Sequence, residues 1–146
     1  NRDHLDAIGI TPEDIAPINR WKELAANSEA QWPYAAGDIE FDATDREILT
    51  HLYESWVHRV DELAGELITH VENVGVGDNT LVILTADHGE CIAQNRVLGH
   101  ELTIDEIVTH VPLIVSGPGI PDETITDPVS LKDMYGTVLS AMGIDN

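Results

Sequence analysis

Apolar residues recur at intervals of three and four positions from Ile48 onward, which predicts a long amphipathic helix. Thr44 and Glu47 stand at its start in the pattern of a capping box, so we expect the helix to begin at Thr44. Its apolar face is formed by Ile48, Leu49, Leu52, Trp56, Val60, Leu63, Leu67 and Val71. Its opposite face carries His51, Glu54, His58, Arg59, Glu62, Glu66 and His70, which we interpret as a solvated surface.

Two shorter apolar runs predict buried strands. Residues 80–85 form a continuous β-branched and apolar run after a stretch of turn residues, which is typical of a strand buried on both faces of a sheet. Residues 111–115 predict a second buried strand, with Pro112 at its start or on an edge because proline donates no ladder hydrogen bond. Helix, tight loop and buried strand together indicate an α/β fold.

The two ends of the chain differ in pattern. Near the C-terminus, Ser130 and Gly143 mark the start and the stop of a last helix. We expect its buried stripe to contain Leu131, Met134, Tyr135, Val138, Leu139 and Met142. Residues 1–43 have weak periodicity and predict connecting structure around one short helix, with Thr11 as N-cap and Pro12 at the first helical position. We therefore divide the chain into a connecting segment at residues 1–43 and a compact unit at residues 44–146.

Charge narrows the classes of partner. The chain has 27 acidic residues against 7 lysines and arginines, and its formal net charge of -20 would repel nucleic acids and anionic membrane surfaces. The acidic residues are spread through patterned segments, so we interpret them as the surface of a folded protein. Lys22 and Lys132 are the only lysines, and such a surface is typical of halophilic proteins, whose charges are screened by molar salt.

Length and cysteine content set further limits. At 146 residues, the chain is long enough to bury one core. Cys91 is the only cysteine, which excludes an intrachain disulfide and a multi-cysteine zinc cluster. No apolar run is long enough to span a membrane, so we expect a soluble protein, with a slight preference for the cytoplasm.

The candidate chemistry lies directly after the first predicted strand, at Asp87 and His88. Ligands of open α/β sheets bind beyond the carboxyl ends of strands. A chain that bends at Gly89 can turn both side chains toward one point, where they would offer two ligands to one divalent cation. On spacing alone, the equal alternative is an aspartate that stabilises the turn beside an unrelated surface histidine.

The amino-acid sequence of this region resembles that of the sulfatase family of the alkaline phosphatase superfamily. Residues 77–90 resemble the stretch that supplies an aspartate and a histidine or asparagine to the metal. Further matches keep the family's order and lie at residues 53–65, 98–100, 111–115 and 129–143. The resemblance covers residues 44 to 144 and implies part of an alkaline phosphatase-like, three-layer α/β sandwich.

The resemblance also implies roles for single residues. Asp87 and His88 match the metal-ligand pair, for one divalent ion, with Ca²⁺ favoured and Mn²⁺, Mg²⁺ or Zn²⁺ as alternatives. His100 matches the position of a lysine or histidine that contacts the transferred anion or its leaving group, so it is the catalytic candidate. We expect Glu90 to support the site without binding the metal, and His110 to pack against the sheet.

The family's nucleophile has no match in this chain. Cys91 lacks the proline two residues later that the sulfatase Cys/Ser-x-Pro-x-Arg motif requires, so we interpret it as a small buried or half-buried loop residue. The acidic metal ligands of an N-terminal strand have no match either. We therefore expect an incomplete fragment that is inactive alone and binds metal weakly.

Three functions remain open at this point. The leading one is hydrolysis of small-molecule sulfate monoesters, with the metal polarising the anion while His100 assists departure of the alcohol. The second is a phosphate or phosphonate ester hydrolase, or a phosphotransferase, on the same scaffold. The third is a non-catalytic α/β module. An exposed apolar sheet face would favour a homo-oligomer.

Overall fold

The computed structural model describes residues 31–144 together with Ala7, Gly9 and Thr11. The predicted helix start at Pro12 lies outside these residues. The helices and strands, in chain order, are α1 (Gln31–Ala36), α2 (Ala43–Asn73), β1 (Val82–Thr85), β2 (Cys91–Ile92), β3 (Leu98–Gly99), α3 (Glu106–Thr109), β4 (Leu113–Ser116) and α4 (Met134–Ala141). None of the helices in this part of the chain is long and apolar enough to cross a bilayer.

The long helix α2 is confirmed, but it begins earlier than expected. Its N-cap is Asp42, whose carboxylate accepts a hydrogen bond from the Asp45 backbone N–H at 2.9 Å. The Asp45 carboxylate in turn accepts from the Asp42 N–H at 3.0 Å, which completes a capping box. The predicted start at Thr44 was therefore wrong, because the aspartate pair satisfies the first free N–H groups from a cap two residues upstream. The helix ends at Asn73, and Gly75 follows with φ of 76°.

The apolar face of α2 is largely exposed. Ile48 is buried near the start of the helix, whereas Trp56 is 70% exposed. The positions that continue this exposed stripe are Val60, Leu63 and Leu67. Packing partners among the described residues are concentrated at the first turns of α2, where Leu49 packs against a buried cluster of Tyr34, Phe41 and Ala93. The apolar face of α2 therefore has little packed against it, among the described residues, along most of the helix.

The two predicted strands pair with each other. β1 and β4 are antiparallel, with Val82 opposite Ser116 and Thr85 opposite Leu113. Pro112 lies immediately before β4, as its missing N–H required. The expectation of a strand buried on both faces was wrong, because Val82, Ile83 and Leu84 are only half-buried and Thr85 is exposed. Within the part of the chain that the structure describes, this sheet has two strands, which leaves both of its faces partly open to solvent.

A second small sheet was not predicted from the sequence. β2 and β3 form an antiparallel hairpin in which Cys91 pairs with Gly99 and Ile92 with Leu98. Ala93, Asn95 and Arg96 in its loop have φ of 62°, 51° and 60°, the left-handed conformation that side chains disfavour. The Tyr34 hydroxyl of α1 donates to the Ala93 carbonyl at 2.9 Å. Arg96 donates to the Tyr34 carbonyl at 3.0 Å, so helix α1 fixes this loop.

The last helix departs from its prediction in its start and in its burial. A 3₁₀ turn at Leu131–Asp133 precedes α4, and the Ser130 side chain makes no capping hydrogen bond. The predicted stripe is at most half-buried, and Tyr135 is 71% exposed because few described residues pack against α4. Gly143 has φ of 70° and ends the helix as predicted.

Candidate metal and catalytic site

Asp87 and His88 leave the end of β1 together. The Thr85 hydroxyl donates to the Pro112 carbonyl at 2.8 Å, which ties the end of β1 to the residue before β4. Asp87 is exposed, with 87% of its side chain accessible, and its carboxylate accepts from the His88 backbone N–H at 3.0 Å. Its second oxygen lies 3.6 Å from Nε2 of His88. The chain thus brings the two predicted ligands to one point.

The chain bends at Asp87 and not at Gly89 as expected, and Gly89 instead lets this segment pack closely against α3. Its N–H donates to the Val108 carbonyl at 2.8 Å. A Cβ at this position would lie 2.0 Å from the Ile107 carbonyl oxygen, a distance that no side chain tolerates. Only glycine therefore lets the segment after β1 lie this close to α3.

The ring orientation of His88 is fixed by the backbone carbonyl of the next residue. Its Nδ1 lies 2.9 Å from the Gly89 carbonyl oxygen, which can only accept a hydrogen bond, so Nδ1 carries the proton. In the neutral ring, Nε2 then has a free lone pair. A metal-binding histidine is commonly oriented in this way by a carbonyl on its other nitrogen. His88 is thus prepared to bind a cation through Nε2.

His100 and Glu90 complete the site from the hairpin. The register of β2 and β3 places Glu90 across from His100, one residue beyond the pair Cys91 and Gly99. Nδ1 of His100 lies 2.9 Å from the Glu90 carboxylate, and 40% of the His100 side chain is exposed. The imidazole of His100 stacks on that of His88, with ring centroids 3.7 Å apart and planes inclined by 26°. The catalytic candidate is therefore in contact with a predicted metal ligand.

Donor atoms for a divalent cation converge here. One nitrogen from each of His88 and His100 and one oxygen of Glu90 lie within 4.8 Å of one another. Asp87 contributes a carboxylate at the rim, beside Nε2 of His88. Carboxylate oxygen and imidazole nitrogen are both ligands of divalent ions, so these residues fit a divalent cation.

The contact between Glu90 and His100 was missed in the sequence. The resemblance gave Glu90 only a supporting place, and the spacing of ten residues to His100 matches no helix or strand period. A usable signal would have been the hairpin, because Gln94, Asn95 and Arg96 form a polar stretch between two short apolar segments at residues 91–93 and 97–98.

Cys91 stands beside the site as an inert thiol. It is buried, with 2% of its surface accessible, which agrees with the expected small buried residue, although it lies in β2 and not in a loop. Burial raises the pKa of the Cys91 thiol, and the negative charges of Asp105 and Glu90 raise this pKa further. The thiolate that a nucleophile requires is thus disfavoured.

His110 was expected to pack against the sheet, and this was wrong. Its side chain is 78% exposed at the end of α3, and its Nδ1 lies 3.5 Å from the carboxylate of Glu106, which is also exposed. One turn of helix separates the two residues, so they pair along the surface of α3 and not across to β4. His110 has no part in the site.

Comparison with known proteins agrees with the resemblance to sulfatases that the sequence shows. The family model described as Sulfatase matches residues 25–144. Arylsulfatase K of Xenopus laevis is 34% identical over 133 residues, which cover 90% of this chain and 23% of that protein. Arylsulfatase K of Danio rerio is 32% identical over 135 residues, with 90% and 24% covered. For Bos taurus the identity is 35% over 104 residues, with 69% and 19% covered.

The extent of these matches is uneven. The chain spans about a fifth to a quarter of the length of these relatives. No solved structure matches the chain.

Proposed function

The chain belongs to the sulfatase family, and from this premise we propose that it forms the metal-binding and leaving-group side of a site that hydrolyses sulfate monoesters. Family membership implies an α/β fold of the alkaline phosphatase type. We propose that the described helices and sheets are part of its three-layer sandwich. The single observation that carries the proposed function is the stacking of His100 on His88, at 3.7 Å between ring centroids.

Each residue has a separate task in the proposed reaction. Asp87 and His88 would hold a divalent ion, which supplies positive charge that polarises the sulfate group. Hydrolysis breaks the bond between sulfur and the ester oxygen, and the departing alkoxide must gain a proton. His100 is placed to give that proton, because its ring lies against His88 and is partly open to solvent.

The nucleophile must come from elsewhere in the proposed site. None of the serines and cysteines of the printed sequence stands in a Cys/Ser-x-Pro-x-Arg motif. The raised pKa and burial of Cys91 weigh against this thiol as well. We therefore propose that residues beyond these 146 complete the site in the working enzyme.

Binding of an ester to the metal-loaded chain tests the proposal. The probes are 4-nitrophenyl sulfate and 4-nitrophenyl phosphate, followed through the imidazole signals of the chain in NMR spectra. We expect the sulfate ester to shift the signals of His88 and His100, and the His100→Ala variant to bind it more weakly. His110→Ala is the matched control, because His110 is exposed outside the site.

Two outcomes would contradict the proposal. Stronger binding of the phosphate ester would favour phosphoryl transfer on the same scaffold. Ester binding that leaves the His88 and His100 signals unchanged would show that these two residues do not bind the ester. Hydrolysis by the chain alone would show that the nucleophile lies within these 146 residues, contrary to our proposal.

A further inference from the structure

The hairpin and the loop after β1 bring together donor atoms that the proposed pair of metal ligands does not use. His88 and Glu90 are separated by one residue, and alternate residues of an extended chain point to the same side. His100 reaches the same point from the opposite strand, because the register places it across from Glu90. Three donors from two chain segments thus meet at one place.

The spacing of these donors is close to that around a single ion. Their ligand atoms lie within 4.8 Å of one another, and two of them, His100 Nδ1 and Glu90 Oε2, are 2.9 Å apart. Ligand atoms around a tetrahedral zinc ion with bonds of about 2.0 Å lie roughly 3.3 Å apart. The three side chains are one-third or more exposed, so rotation about their side-chain bonds can close the remaining distance.

The type of donor determines the type of ion. Two imidazoles and one carboxylate form the ligand set of several catalytic zinc sites, with one position left open. Ca²⁺ and Mg²⁺ prefer oxygen ligands, so they gain little from two nitrogen donors. The free Nε2 of His88, whose other nitrogen is held by the Gly89 carbonyl, is ready to bind such an ion.

We propose that His88, Glu90 and His100 form a binding site for a borderline divalent cation such as Zn²⁺, distinct from the Asp87 and His88 pair. The two sites share His88 and exclude each other. The three-residue site stands on its own geometry, and only its effect on catalysis rests on the proposed function. An ion at this site occupies His100, so the histidine can no longer protonate a leaving group.

Titration calorimetry of the metal-free 146-residue chain tests the site. Measurements are made in high salt, because a net charge of -20 attracts any cation nonspecifically and salt screens that attraction. We expect Zn²⁺ to bind with one-to-one stoichiometry and at least about tenfold more tightly than Ca²⁺. We expect Glu90→Gln and His100→Ala to weaken Zn²⁺ binding by about tenfold or more, because each removes one of three ligands and even the loss of an outer supporting group costs about that much.

Two further variants separate this proposal from the family-type pair. His110→Ala should leave Zn²⁺ affinity unchanged, since it removes a histidine paired with an exposed glutamate elsewhere. Asp87→Asn should weaken Zn²⁺ binding less than Glu90→Gln or His100→Ala does, because Asp87 is not one of the three donors. Loss of Zn²⁺ binding in Asp87→Asn but not in Glu90→Gln or His100→Ala would overturn the three-residue site and leave the proposed function intact.

X-ray absorption of the zinc-loaded wild-type chain gives a result that does not depend on variants folding. Scattering from imidazole carbon atoms reports how many histidines bind the ion. Two imidazoles are expected for the proposed site. One imidazole, or no Zn²⁺ binding above that of Ca²⁺, would overturn it.

Discussion

The rings of His88 and His100 stack with their centroids 3.7 Å apart, although the two residues follow different strands and are twelve positions apart in sequence. His88 follows β1, whereas His100 follows β3. The hairpin between them returns the chain to its starting point, so that a predicted metal ligand and a catalytic candidate share one surface. Loss of either ring should therefore change the environment of the other.

Removal of His88 should abolish metal binding of every kind. His88 belongs both to the pair with Asp87 and to the cluster with Glu90 and His100. We expect His88→Ala to lose the binding of Ca²⁺, Mn²⁺ and Zn²⁺ in titration calorimetry. The control is His51→Ala, which removes a histidine that pairs with Glu54 on the surface of α2. Binding that survives in His88→Ala would show that the chain holds cations elsewhere.

Gly89→Ala should destabilise the chain. The added methyl group would lie 2.0 Å from the Ile107 carbonyl oxygen, so the loop after β1 must move away from α3. We expect the free energy of unfolding in urea to fall by roughly 1–3 kcal/mol. Gly65→Ala in α2 is the matched control, since no atom within 4 Å would meet its methyl group, and it should raise stability by roughly 0.5–1 kcal/mol. Equal effects of both changes would contradict the close approach.

The start of α2 can be located by two substitutions. Asp42→Ala removes the carboxylate that accepts from the Asp45 N–H, and we expect a loss of about 1 kcal/mol in stability. Thr44→Ala should have little effect, because Thr44 lies inside the helix and is exposed. Urea unfolding followed by circular dichroism compares the two. A larger loss for Thr44→Ala would restore the predicted start.

The sequence identified long elements better than their surroundings, and α2 shows why. Its period of apolar residues predicted the helix, but the cap expected at Thr44 lay two positions from the observed one, which the side-chain geometry of Asp42 and Asp45 shows. Burial of residues 82–84 depends on what covers a sheet, which periodicity does not record. Glu90 escaped notice for a similar reason, since its partner depends on the register of a two-residue strand pair.

Cys91 should make the chain sensitive to alkaline pH. Its pKa in the folded state is raised above the ordinary value of 9.0, first by burial and then by Asp105 and Glu90. The unfolded thiol therefore ionises first, so the contribution of Cys91 to stability is complete below the unfolded pKa and is lost as pH rises through the folded pKa. We expect urea unfolding between neutral pH and pH values above 9.0 to show a smaller loss of stability in Cys91→Ala than in the wild type. An equal loss in both proteins would contradict this.

The exposed stripe on α2 should promote self-association. Trp56 and Leu67 are 70% and 64% exposed on the apolar face, and a continuous apolar surface of this kind is usually covered. We expect sedimentation in high salt to show dimers or larger species at micromolar concentration. Trp56→Gln and Leu67→Gln together should shift the chain toward the monomer, whereas Glu66→Gln on the other face should not. A monomer at all concentrations would contradict this prediction.

The loop between β2 and β3 has a consequence for how the site is maintained. Ala93, Asn95 and Arg96 have left-handed backbone conformations, and each of these costs roughly 1–2 kcal/mol. Hydrogen bonds to Tyr34 hold Ala93 and Arg96 in place, and Tyr34 belongs to a helix that contributes none of the three clustered donors. Helix α1 therefore stabilises the hairpin loop through hydrogen bonds, as a clamp would. The helix keeps this strained turn closed. It thereby maintains the distance between Glu90 and His100 at the other end of the hairpin.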